Sequence, residues 1–301
     1  MLSKIRWLGV VIALDLILLL GIGVQAVSYS ESGVTCDIGT EGLPPLLADL
    51  LAVPQSVADD ASRLATGLFG DCQEKCDYFV NQLLAIYSEA KDKDFVMIFN
   101  PGGWGWDFVE TSPGWWSIFN GIESELESSG YTSLMLNHRR AVDSFLGRLD
   151  EAREMITGYK SKAMDLASRI EFLTTHIPDL KVILAGESTG TIITDSVMKI
   201  LADNQQVYSI QTGPPFWHQN NILDRTLVLT DNGIVPDSFS RGDFWTIIWD
   251  NLKALFGFSQ PVDGFGTILN YVEAPGHDYW WQYSEVCFEI TNFLRQNFTL
   301  K

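Results

Sequence analysis

The sequence predicts an α/β fold, a mostly parallel sheet of about six strands flanked by helices. Two observations carry this. Short apolar runs rich in strand formers recur between helical stretches, and strands that alternate with helices lie side by side in a sheet covered on both faces. In addition, Val182-Ile183-Leu184-Ala185 runs straight into Gly186-Glu187-Ser188-Thr189-Gly190, and a helical pattern follows.

The elements follow in chain order. From 46 to 90 the pattern is helical, with Phe79, Leu83, Leu84 and Tyr87 at helical spacing and Asp71 as the expected cap of a second helix. Phe95-Val96-Met97-Ile98-Phe99 reads as a buried strand, closed by Asn100-Pro101-Gly102-Gly103. A helix over Trp115–Ser128 leads to a second strand over Tyr131–Leu136. One long helix is expected from Val142 to His176, with an apolar stripe through Phe145, Leu149, Ile156 and Ala163, ended by Pro178. Lys181–Ala185 is the third strand, Val207–Gln211 the fourth, Thr226–Leu229 the fifth and Tyr271–Glu273 the sixth. A helix over Ser284–Gln296 ends the chain. Residues 234–266 break the alternation and read as a lid-like helical insertion before the last strand. The domain therefore spans 46–301, with 46–90 as a helical N-terminal extension.

Composition bounds the function. The chain has 301 residues, 46% of them apolar, enough for a sizeable core. Its net charge of −18 excludes nucleic acid as a partner, because such binding depends on cationic contacts to phosphate. At the N-terminus, Lys4 and Arg6 precede an apolar run from Trp7 to about Val24, interrupted only by Asp15. Residues 1–27 are expected to be either a cleaved signal peptide or a retained membrane anchor, with the rest of the chain outside. Residues 28–45 read as a linker ending at Pro44-Pro45. Outside the cell, Cys36, Cys72, Cys76 and Cys287 could form disulfides in three pairings. Cys72 and Cys76, one helical turn apart, would point the same way. A zinc site at that pair is the weaker alternative, since no histidine lies nearby.

The chemistry concentrates at Ser188. The Gly-Glu-Ser-Thr-Gly turn between strand and helix is the G-x-S-x-G nucleophile pattern. Side chains two residues either side of the serine would collide, so glycine occupies both places. The hydroxyl is lifted above the sheet at a helix N-terminus, where the dipole favours developing negative charge. A tight glycine-rich turn with no catalytic role is the bland alternative.

From about Phe95 onward, this pattern resembles the α/β-hydrolase superfamily of serine esterases, lipases, thioesterases and peptidases. The resemblance implies the order nucleophile, acid, histidine. It implies His277, which follows the last strand in Glu273-Ala274-Pro275-Gly276-His277, ahead of His138, His176 and His218. It implies Asp231 as the acid, at the strand end in Thr230-Asp231-Asn232-Gly233-Ile234-Val235-Pro236-Asp237, with Asp237 in reserve. Thr189 and Gly103 are the expected oxyanion donors, with Trp104 in reserve; Pro101 departs from the histidine usual in that loop.

Aromatic residues crowd the loop after the first core strand (Trp104, Trp106, Trp115, Trp116, Phe119) and the insertion (Phe244, Trp245, Trp249, Phe256). In the insertion, 245, 248, 252 and 255 share a helical face that suits a lid, a lipid interface or ordinary packing on the sheet. The expected function is a lipase-like or esterase-like serine hydrolase acting on apolar acyl esters or lipids without a cofactor. An acyltransferase or peptidase with the same triad, and a non-catalytic surface scaffold, are the alternatives.

Overall fold

In the computed structural model, which describes residues 37–39, 53–141, 144–219, 223–255, 265–268 and 272–299, the sheet is built on strands β2 (Phe95–Asn100), β3 (Ser133–Arg139), β4 (Lys181–Glu187), β5 (Val207–Thr212) and β6 (Thr226–Leu229). All neighbours among these five are parallel, in the order β3-β2-β4-β5-β6. Strand β1 (Asp37–Gly39) adds an antiparallel edge against β3, so a stretch expected to be linker contributes the sixth strand. The strand expected to be sixth, β8 (Val272–Pro275), pairs antiparallel with β7 (Phe265–Ile268) in a separate two-stranded sheet.

Residue alternation explains the two cores. Phe95, Met97 and Phe99 of β2 face one side, with Ile183, Ala185 and Ile210, under helices α3 (Pro113–Ser128) and α8 (Ser284–Asn297). Val96, Ile98, Val182 and Leu184 face the other, under α1 (Gln55–Phe69), α2 (Gln73–Ala90), α5 (Lys160–His176) and α6 (Gly190–Ile200). All six residues of β2 are buried, which is why the strand reads as a continuous apolar run.

The long helix expected over 142–176 is two helices, α4 (Phe145–Thr157) and α5. Gly158 at φ 74° and Tyr159 at φ 55° are both left-handed, and two such residues cannot continue a right-handed helix. Cys72, not Asp71, occupies the N-cap of α2, without a side-chain capping bond. Cys72 is exposed and Cys76 buried, and both are free thiols, as is Cys287. The insertion holds α7 (Phe244–Leu255). It docks on β8 through Ile247, which packs with Phe239 and Ala274, and through the Asn251 amide, which bonds the Glu273 backbone at 2.8 and 2.9 Å.

Residues 1–27, most of the expected linker 28–45, Cys36 and Phe256 lie outside the described residues. Among the described residues, no helix is long and apolar enough to cross a membrane.

The order β3-β2-β4 makes β2 and β4 the point where the chain reverses its direction of sheet growth. The loops leaving their carboxyl ends diverge there and open a crevice. The Pro101–Gly105 loop follows β2, and the Ser188 turn follows β4.

Candidate active site

Ser188 sits at φ 49°, in the left-handed region that a serine rarely adopts. Its backbone N–H donates to the Thr212 carbonyl at 2.9 Å, and its own carbonyl accepts from the Thr191 hydroxyl at 2.7 Å. These bonds hold the bend. The flanking glycines have measurable reasons. A Cβ on Gly186 would stand 2.8 Å from Thr194 Oγ1, and one on Gly190 would collide with the Asn100 carbonyl oxygen.

His277 lies across a cavity of about 440 Å³ whose wall includes Gly102, Gly103, Ser188, His277 and Tyr279. Its Nδ1 bonds Asp237 Oδ2 at 2.9 Å. Asp237 is fully buried and saturated with donors. Oδ1 accepts from the backbone N–H groups of Phe239 and Ser240 at 2.9 and 3.0 Å; Oδ2 also accepts from the Tyr279 hydroxyl at 2.8 Å and the Ser240 hydroxyl at 3.0 Å. Burial alone would raise the Asp237 pKa. The bond to and charge of His277, with the Ser240 and Tyr279 donors, outweigh it and hold the carboxyl below its ordinary value. Burial and the neighbouring Asp237 push the Tyr279 phenol well up, so it remains a neutral donor.

The expected acid, Asp231, is not at the histidine. Its Oδ2 pairs with Arg241 at 2.9 Å on the surface, and its Oδ1 accepts from Gly233 N–H at 2.9 Å. The side chain serves its own turn, as Asp before Asn-Gly commonly does. Asp237, the reserve, makes the contact instead.

The expected oxyanion residues meet. Thr189 Oγ1 donates to the Gly103 carbonyl at 2.9 Å, tying the loop after β2 to the residue after Ser188. Gly103, at φ 54°, lines the cavity; Trp104 does not, and stacks on Trp106 with centroids 6.2 Å apart. The Gly102 N–H donates to Glu187 Oε2 at 3.1 Å, so that amide is engaged. Burial raises the Glu187 pKa, outweighing the Gly102 N–H and His277, which lower it.

No protein-family model and no curated protein matches the chain. Among solved structures, Trichoderma reesei cutinase in complex with a C11Y4 phosphonate inhibitor superposes with a TM-score of 0.40 at 15% identity, over 82% of this chain and 93% of that chain.

Three features escape a linear reading. Gly213, at φ 60°, approaches the imidazole so closely that a Cβ there would stand 2.6 Å from His277 Cε1. Tyr279 and Ser240 complete the shell of Asp237. Arg140 lies fully buried beneath the loop after β2. The spacing Val235-Pro236-Asp237 was the one available signal for the acid. The other three are fixed by tertiary approach, which sequence spacing does not encode.

The aromatic residues fall into two groups. Trp115 and Phe119 are core, and Trp115 Nε1 bonds Thr212 Oγ1 at 3.2 Å. A second group is exposed: Phe216, Trp217, Phe244, Trp245 and Trp249. Phe216 touches Trp217 and Phe244 edge-on at 4.8 Å; Phe239 bridges this group to His277, whose ring is 4.9 Å away. On α7, Trp245 is 74% exposed. The helix buries Ile247 instead. Among the described residues, no group of three metal-ligating side chains is placed to hold an ion.

Proposed function

We propose that this chain is a serine hydrolase cleaving carboxylic esters, with Ser188 as nucleophile, His277 as base and Asp237 as the orienting acid. One observation carries the reading: a serine forced into a left-handed bend shares a cavity with an imidazole whose Nδ1 is bonded to a buried, fully hydrogen-bonded carboxylate. With Nδ1–H given to Asp237, Nε2 carries the lone pair that takes the proton from Ser188 Oγ. The serine oxygen attacks the acyl carbon, and the carbonyl oxygen gains the negative charge. Thr189 and Gly103 amides receive it. His277 then protonates the leaving alcohol, and water repeats the sequence on the acyl-enzyme.

The exposed aromatic group beside Phe239 supports an apolar acyl or lipid substrate, since such a surface suits contact with chains or dispersed droplets. The cavity wall itself is mixed: Asp107, Glu187 and Asp278 stand among Ile268, Tyr279 and Trp280. A position outside the cytoplasm, with residues 1–27 as anchor or signal, is proposed from the basic flank and apolar run alone.

The test is hydrolysis of p-nitrophenyl esters of increasing acyl length. Wild type is expected to turn over, and Ser188→Ala to lose at least ~10³-fold in kcat. Equal rates would remove the proposal.

A further inference from the structure

Burying an arginine costs several kcal/mol unless its charge and donors are met, so a fully buried one is placed for a reason. Arg140 follows β3 directly and is 1% exposed. Its Nε bonds Glu151 Oε1 at 2.9 Å; Glu151 Oε2 accepts from Lys162 Nζ at 2.8 Å; and Lys162 closes the ring on the Arg140 carbonyl at 2.7 Å. The guanidinium also stands over the ring of Tyr159 at 5.2 Å. That anchoring leaves the other edge of the fork for the site. Nη1 donates to the Pro101 carbonyl at 2.6 Å, and Nη2 lies 3.5 Å from Thr189 Oγ1. The Arg140 backbone N–H donates to the Gly105 carbonyl at 2.7 Å, and Gly105 leaves no room for a side chain, since a Cβ would stand 2.8 Å from Arg140 Cζ.

We propose that Arg140 is a positioning residue for the oxyanion site: one planar fork holds the loop after β2 at Pro101 and the residue after the nucleophile at Thr189, fixing the distance between the two amides that receive the charge. The inference rests on the Ser188 reading and deepens it. Both arms leave different strands, and Thr189 Oγ1 relays the hold to the Gly103 carbonyl. A lysine would keep the charge but not the two-pronged geometry. Arg140 does not line the cavity, so substrate binding should be indifferent to it.

The experiment measures kcat and KM for p-nitrophenyl butyrate, and Ki for a trifluoromethyl ketone that must form a tetrahedral oxyanion, in wild type, Ser188→Ala and Arg140→Lys. Near-ultraviolet circular dichroism gives the folded fraction. The expected result is an inactive Ser188→Ala. Folded Arg140→Lys should lose about 10- to 100-fold in kcat, keep KM within about twofold, and weaken for the ketone by the same factor as kcat/KM. Wild-type kcat and ketone affinity per folded Arg140→Lys, with Ser188→Ala inactive, would overturn the inference alone. A Ser188→Ala as fast as wild type would overturn the Ser188 reading and this inference with it. If Arg140→Lys does not fold, Thr189→Val removes the shared hydroxyl while keeping shape and amide. It is then expected to show the same loss of kcat and ketone affinity, and wild-type values there would equally overturn the inference.

Discussion

In the loop 231–237 two carboxylates compete for one histidine, and their surroundings decide between them. Asp231 stands on the surface, with its charge given to Arg241 and its remaining oxygen to its own turn. Asp237 is buried with four donors besides the His277 imidazole. Proximity to the strand end favours Asp231 in the sequence, because strand β6 stops at Leu229. The deciding contact is tertiary: Gly276, at φ 81°, lets the chain before His277 pass against the Pro236 carbonyl, too close for any Cβ, and this brings the imidazole to Asp237. Asp237→Asn is therefore expected to lower kcat ~10³–10⁴-fold on a soluble ester, with the imidazole held in the wrong tautomer. Asp231→Asn is expected to stay within about twofold, as surface substitutions usually do. The reverse ranking would reassign the acid. Since the Asp237 carboxyl is held below its ordinary value, the donors around its ionised form contribute stability at neutral pH. That contribution is lost only as the pH falls through the depressed value.

At the scale of elements, periodicity was legible where one rule governed and failed where two met. β2 and β4, buried on both faces, are unmistakable as apolar runs, and the Gly186–Gly190 turn between β4 and α6 follows from its residues alone. The 142–176 stretch keeps its apolar stripe across a break, because Gly158 and Tyr159 change the backbone hand without changing the pattern. In α7, spacing marks an apolar face but not what covers it; the tertiary anchors Ile247 and Asn251 turn Trp245 and Trp249 outward. This outward face gives a prediction. The double variant Trp245→Ser, Trp249→Ser is expected to alter stability little, by about 0.5 kcal/mol per site, because neither ring is buried. The same variant should hydrolyse an emulsified triglyceride several-fold more slowly, while p-nitrophenyl butyrate turnover is kept. Parallel rates on both substrates in a comparative assay would show that the aromatic face plays no part in substrate contact.

For the molecule as a whole, the fold class was legible because strand and helix alternate from Phe95 onward, and the parallel order follows from that alternation. The sixth strand was not, since a three-residue antiparallel edge carries too little pattern to distinguish it from a linker. The site, in turn, is a property of the assembled sheet. Ser188, Gly103 and His277 come from three distant stretches and meet only because β2 and β4 are neighbours at the switch of sheet direction, while the loop of His277 returns over β5 at Gly213. The most direct measurement is reaction with a fluorophosphonate, followed by intact mass and peptide mapping. The account predicts one adduct per chain, on Ser188, formed at least ~100-fold more slowly in His277→Ala. No adduct on the folded protein, or an adduct on a residue other than Ser188, would contradict it.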